Sequence, residues 1–144
     1  MELLKKWRPI KLRAEDDQDL QIFSQFLYES IIISSEINYN KNTKQFALAI
    51  ERFTWEHAGE ESHLLMQVLS ILVINYVEKI NLKNILNSNK IKNILSISNI
   101  DNNILILLNN EEVINLKVKK WSCLLEDIGK PFSPATVPTF PKND

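Results

Sequence analysis

A chain of 144 residues with 44% hydrophobic and 24% charged side chains has the balance of one folded domain, not of a disordered segment. Its 17 basic and 18 acidic side chains leave a formal net charge of -1, so neither a polyanion nor an anionic membrane is attracted overall, and nucleic acid is not expected as a partner. A single cysteine, Cys123, excludes an internal disulfide and suits a reducing cytoplasm, while the absence of a signal-peptide pattern or a membrane-spanning apolar run argues against secretion and membrane association.

In chain order, Asp16, Asp17 and Asp19 precede a run in which Leu20, Phe23 and Leu27 recur at helical spacing, with Ile22 and Phe26 widening the same face. An aspartate at the cap accepts hydrogen bonds from unpaired backbone N–H groups, and acids in the first turn oppose the positive end of the helix dipole. A helix is therefore predicted from about Asp17 to Tyr28, and capping accounts for the acidic cluster better than a metal site does.

After the helix the period changes to two. Ile31, Ile33 and Ile37 open a strand, Lys41-Asn42-Thr43 reads as a turn, and Phe46, Leu48 and Ile50 alternate with Ala47, Ala49 and Glu51, which together predict a hairpin with one buried face. Continuing that parity would turn Arg52 inward, so a bulge or the strand's end is expected at or just after Glu51. Leu64 to Asn75 is apolar on both parities and rich in β-branched residues, as in a strand covered on both faces. Tyr76 to Asn89 fits a short helix or a polar loop equally well.

Ile91–Ile100, Ile104–Leu108 and the alternating stretch around Ile114, Leu116 and Val118 are separated by Asp101-Asn102-Asn103 and Asn109-Asn110, and predict a three-strand meander. The 16 asparagines reflect a compositional bias shared with 19 isoleucines and 14 lysines, so the Asn-rich middle is not read as a ligand-binding segment. Leu124, Leu125 and Ile128, followed by Gly129, suggest a short helix over Trp121–Ile128. Pro131, Pro134, Pro138 and Pro141 then forbid regular structure. The expected organisation is a single α+β domain over residues 1–132 and a Pro-rich tail over 133–144. Its parts are an N-terminal helix, a curved, mainly antiparallel sheet or partly open barrel of pleckstrin-homology-like type, and a short C-terminal helix. Such a sheet has edges, to be covered by barrel-like closure or by a homodimer.

Three stretches carry a family resemblance. Leu12-Arg13-Ala14-Glu15-Asp16-Asp17 opens the helix, Phe46-Ala47-Leu48-Ala49-Ile50-Glu51-Arg52-Phe53-Thr54-Trp55-Glu56 is the most specific element, and Leu124-Leu125-Glu126-Asp127-Ile128-Gly129 lies near the end. From about Arg8 to Phe132 the chain resembles the alpha-proteobacterial family called domain of unknown function 2948. It departs from the pattern in having Phe132 where Trp is expected and a shortened polar insert after Gly59. The resemblance implies a bacterial, cytoplasmic, single-domain protein and no particular activity.

Arg52, Trp55, Glu56 and His57 cluster at the end of the best-defined strand, where a rigid scaffold commonly presents functional loops. Arginine binds carboxylates or phosphates through two parallel hydrogen bonds, and a tryptophan face stacks on rings and cations. The structural alternative makes Trp55 the edge of the core and pairs Arg52 with Glu51 or Glu56. His57 and His63, with Glu56, Glu60 and Glu61, do not have the spacing of a zinc motif such as H-E-x-x-H, so no metal is assigned. Cys123 reads as a buried small hydrophobe. With 2 glycines and no nucleophile elbow, phosphate loops and cofactors are not expected. Two functional classes follow. The favoured one is a binding or adaptor domain that recognises another protein, or a second copy of itself, through a sheet edge or the Trp55 loop; the other is a hydrolase-like or transferase-like enzyme with His57 or His63 as general base.

Overall fold

The computed structural model describes residues 7–57, 65–82 and 91–133. Strand β1, Lys11–Ala14, leads into helix α1, Asp17–Leu27. The helix begins at its expected cap: the Asp16 carboxylate accepts the Asp19 N–H at 2.8 Å, and the Asp19 carboxylate accepts the Glu15 N–H at 3.0 Å. Leu20, Phe23 and Leu27 form its buried face.

The predicted hairpin is β2, Ile31–Asn40, and β3, Gln45–Phe53. Asn40 Oδ1 accepts the N–H groups of Asn42 and Thr43 at 3.0 and 3.2 Å, which shapes the turn between them. Phe46, Leu48 and Ile50 are fully buried, Gln45 is exposed and Glu51 is half-buried. The bulge expected near Glu51 is absent, since β3 pairs without a break, Gln45 through Phe53 against Asn75 through Gln67 of the next strand. Arg52 keeps its inward parity and is fully buried, because the fold supplies it with counter-charges.

That next strand, β4, spans Gln67–Asn81 and so takes in the first part of the ambiguous segment; residues 83–90 lie outside the described residues. Its inward side chains Leu72, Ile74 and Val77 belong to the core, but Leu69, Ile71 and Val73 on the opposite parity are only half-buried and stand outside the core cluster. The two-sided cover expected from its apolar pattern is therefore not supplied by the described core. The meander follows as predicted: β5, Ile94–Ile100, and β6, Asn103–Leu108, are joined through Asp101 and Asn102 with φ of 49° and 61°, the left-handed pair that a tight hairpin needs.

The third strand of the meander, β7, runs Val113–Asp127 and replaces the helix expected over Trp121–Ile128. Its inward residues are Ile114, Leu116 and Val118 before Lys120, then Cys123, Leu125 and Asp127 after it. Lys120 has φ of 46° and sits where the β4–β7 register shifts, so the parity of the strand flips there. Leu124, Leu125 and Ile128 do not share one face: Leu125 points inward, Leu124 lies on the opposite parity and Ile128 is exposed, so their helical spacing is coincidental. Gly129 consequently caps no helix. Its N–H reaches the Leu69 carbonyl at 3.2 Å, and a Cβ there would lie 3.2 Å from Leu69 Cβ.

All pairings are antiparallel, in the order β2-β3-β4-β7-β6-β5, with β1 paired to the second half of β7. The sheet does not close into a continuous barrel. Its two outer strands nevertheless meet at one end, where Ile31 bridges Asn93, Ile32 N–H donates to the Lys92 carbonyl, and Ile94 N–H donates to the Ser30 carbonyl, each at 2.9 Å. Beside this seam the buried Lys92 ammonium pairs with Glu112. Helix α1 and both sheet edges share one hydrophobic core. Among the described residues no helix is long and apolar enough to cross a membrane. The expected tail lies, from residue 134, outside the described residues.

Candidate functional site

The end of β3, the turn after it and the end of β7 meet around one guanidinium. Arg52 projects inward from β3, and Asp127 projects inward from β7 because the bulge at Lys120 has reset that strand's parity. Arg52 Nε and Nη2 donate to the two Asp127 carboxylate oxygens at 2.7 and 2.9 Å. Its Nη1 and Nη2 donate to the two Glu56 oxygens at 2.8 and 2.7 Å, and Nη1 also donates to the Phe53 carbonyl at 3.0 Å. All five donors of the guanidinium are thereby used.

Asp127 is equally committed. Besides Arg52, one oxygen accepts the Ser70 hydroxyl at 2.7 Å and the other the Ile10 N–H at 2.8 Å. Burial alone would push this carboxyl up, but the hydrogen bonds from Arg52, Ile10 and Ser70, together with the Arg52 charge, outweigh it and hold the group below the usual carboxylate range. For Arg52, burial disfavours the charged form, while its hydrogen bonds to Asp127 and Glu56 more than restore it. The Phe26 ring lies 5.8 Å from the guanidinium carbon and adds a face contact.

Trp55, Glu56 and His57 form a single 3-10 turn directly after β3. Glu56 turns back into the arginine cluster. Trp55 donates its indole N–H to the Tyr28 carbonyl at 2.7 Å and packs at a tilt against Tyr28 and Phe53, with ring centroids 5.9 and 5.8 Å away. The indole remains half-buried and, with Gln25, Phe26 and Glu56, lines a shallow pocket of about 90 Å³. His57 is half-buried, its N–H bonded to the Thr54 carbonyl at 3.1 Å.

The four residues singled out from the sequence are thus neighbours but divide into two kinds. Arg52 and Glu56 are structural, as the ion-pair alternative had it for Glu56, whereas Trp55 and His57 reach the surface. His63, Glu60 and Glu61 lie outside the described residues. Asp127 and Ser70 were not anticipated. The signal for Asp127 was present in Leu124-Leu125-Glu126-Asp127-Ile128-Gly129: read as a strand, it places an aspartate on the same face as Cys123 and Leu125, where a carboxylate requires a buried cation.

Chemically, the arginine cluster is a clasp joining two ends of the sheet. All five of its guanidinium donors are filled from within the protein, and both carboxylates are held by them. Cys123 is buried, and burial pushes its thiol up to about 12, so it is a core residue and not a nucleophile. Among the described residues no group of three or more His, Cys, Asp or Glu side chains is placed to hold a metal ion.

No curated protein and no solved structure matches the chain. The stretches ending in Glu56 and in Gly129, far apart in sequence, meet in the Arg52–Asp127 clasp, and both lie within residues 10–140, which match the family model described as "Protein of unknown function (DUF2948)"; the chain belongs to that family.

Proposed function

We propose that this is a small cytoplasmic binding or adaptor domain that recognises a protein segment through the surface around Trp55. One observation carries the reading: an indole held by a hydrogen bond to Tyr28 and by two ring contacts, yet left half-exposed beside a shallow pocket. An aromatic anchor that is already immobilised loses little side-chain entropy on binding, which is why tryptophan dominates the centres of protein interfaces. The clasp beneath it supports the same reading, since Arg52 and Glu56 fix the turn that presents the ring.

As scaffold we propose a partly open barrel, supported by the seam between β2 and the residues before β5. A pleckstrin-homology-like kinship would rest on that outline alone, with the helix before the sheet and none after it among the described residues. The alternative, a hydrolase-like or transferase-like enzyme using a His/carboxylate pair, draws less support because Glu56 and Asp127 are both engaged by Arg52.

Selection of a random-peptide display library on the immobilised domain tests the proposal. Enriched peptides are expected to perturb the Trp55 indole resonance and to bind at least tenfold more weakly to Trp55→Leu and Gln25→Ala variants whose thermal unfolding is otherwise close to wild type. Peptides that bind both variants as well as they bind the wild type would overturn it.

A further inference from the structure

Strands β4 and β7 pair as far as Asn75–Ser122 and resume at Val77–Val118, so that one residue, Tyr76, faces three, Lys119, Lys120 and Trp121. Tyr76 and Lys120 both take left-handed backbone, with φ of 64° and 46°. The β5–β6 turn is tied to the same place, since the Val118 N–H donates to the carbonyl of Asn102, itself at φ 61°. These three left-handed residues line one pocket of about 360 Å³, together with Trp121, Ser122 and, from β1, Arg13. Asparagine enters the left-handed region readily, but tyrosine and lysine do so at a cost, and a bulge needed only to bend the sheet would be better served by glycine. Backbone strain of this kind gathers at binding sites.

The pocket is rich in donors that the protein leaves open. Among the described residues the Lys120 ammonium, the Trp121 indole N–H and the Tyr76 hydroxyl have no hydrogen-bond partner. Ser122 ends a chain in which Gln45 Nε2 donates to Asn75 Oδ1 at 3.0 Å and Asn75 Nδ2 to Ser122 Oγ at 3.1 Å, so its hydroxyl hydrogen is left to donate. Arg13 spends only Nε, on the carboxylate of Glu15, the one acid lining the pocket, and keeps its two terminal nitrogens for a ligand. Arg13 and Lys120 against Glu15 leave the lining net positive. Glu15, Asp16 and Asp17 line a separate depression that Trp121 also borders, and their charge confines an anion to the Tyr76 side. Two rings complete the pocket: Trp121 is seated against the core, and Tyr76 is 56% exposed. We propose that this pocket binds a small planar anion, an aromatic carboxylate. Lys120, Arg13 and Ser122 hold the carboxylate, and the Tyr76 and Trp121 side chains hold the ring. The volume suits such a molecule. The pocket shares no lining residue with the one beside Trp55, and the proposal stands or falls independently of it.

Titration of the isotope-labelled full chain with 2-naphthoate at about 0.1 to 10 mM, a range that reports millimolar dissociation constants, should move the Trp121 indole N–H resonance and leave that of Trp55 in place. Cyclohexanecarboxylate is an anion without a flat ring, and 2-naphthylmethylamine is a flat ring of the opposite charge. Each should bind about fivefold more weakly or worse. Lys120→Gly should weaken 2-naphthoate binding about tenfold while melting no earlier than the wild type, and Lys120→Arg, which keeps the cation, should retain most of the affinity. Lys120→Asn, which also tolerates the backbone, supplies the same readout if Lys120→Gly fails to fold. The proposal is overturned if the Trp121 resonance does not move, if either control molecule binds as tightly as 2-naphthoate, or if the glycine or asparagine variant binds like the wild type. It also falls if Lys120→Arg binds no better than the uncharged variants.

Discussion

Arg52 sits in the interior because every hydrogen it offers has an acceptor. Three of its five hydrogen bonds go to partners within four residues in sequence, but the pair that fixes its position comes from Asp127, 75 residues away. Truncating it leaves Asp127 as a buried carboxylate with its main counter-charge gone, so Arg52→Ala should cost about 3 to 5 kcal/mol by denaturant unfolding. Arg52→Lys should also be destabilising, because a single ammonium cannot donate in parallel to two carboxylates. If Arg52→Lys unfolds like the wild type, charge alone is what the site needs. The same cluster sets an acid dependence. Asp127 has a folded-state value below its ordinary 3.8, so its contribution is complete above that value and is lost as pH falls through the lower folded value. Thermal unfolding of the wild type should weaken progressively below about pH 4, and an Asp127→Asn variant, already less stable at neutral pH, should lose less on the same acidification. Equal slopes in the two proteins would show that other carboxylates govern the acid limit. Arg52's burial was hard to read from sequence for a plain reason: periodicity reports which face a residue takes, not whether a distant strand brings a counter-charge to it.

The elements differ in legibility according to whether their pattern is local. Helix α1 and the β2–β3 hairpin are written in neighbouring residues: Asp16 caps, Asn40 turns, and Phe46, Leu48 and Ile50 alternate, and each does in the structure what its type predicts. Strand β7 misleads because its period is interrupted once, at Lys120, and β4 carries the matching irregularity at Tyr76, with φ of 64°. A left-handed backbone costs a residue with a Cβ roughly 1 kcal/mol or more, and only Gly, Asn or Asp visits it routinely. Nothing in the residue types Tyr and Lys advertises a bulge. The structure holds both in place through long-range backbone bonds: Val77 N–H donates to the Lys44 carbonyl at 2.8 Å and Val118 N–H to the Asn102 carbonyl at 2.9 Å. Lys120 is exposed, so Lys120→Gly removes the steric strain without removing a core contact. It should raise stability by up to about 1 kcal/mol, read as a higher unfolding midpoint. A loss instead would mean that the Lys120 side chain contributes more than its strained backbone costs.

At the scale of the whole molecule, the open sheet manages its edges from within. An edge strand presents a row of unpaired backbone groups that invites aggregation. On β5 the Ser24 hydroxyl of α1 takes both roles of a missing neighbour, donating to the Ile97 carbonyl at 2.9 Å and accepting the Ile97 N–H at 3.0 Å. At the start of β2 the seam does the same, with Glu29 N–H on the Ile94 carbonyl at 2.7 Å and Ile32 N–H on the Lys92 carbonyl. Between Ile32 and Ile37 the β2–β3 register shifts, and Ser34, Ser35 and Glu36 are exposed, which makes that stretch a poor template for a foreign strand. Native-state hydrogen exchange separates these regions. Ile32, Ile94 and Ile97 amides should be protected nearly to the level of global unfolding, while Ser34 and Ser35 exchange through local openings. Ser24→Ala should lower the protection of Ile97 and leave that of Ile32 and Ile94 largely unchanged, because the helix contact and the seam are separate devices. If Ile32 and Ile94 exchange as fast as Ser34, the seam opens freely in solution. The protein is then an open sheet under one helix, and the partly closed barrel must be given up as its scaffold.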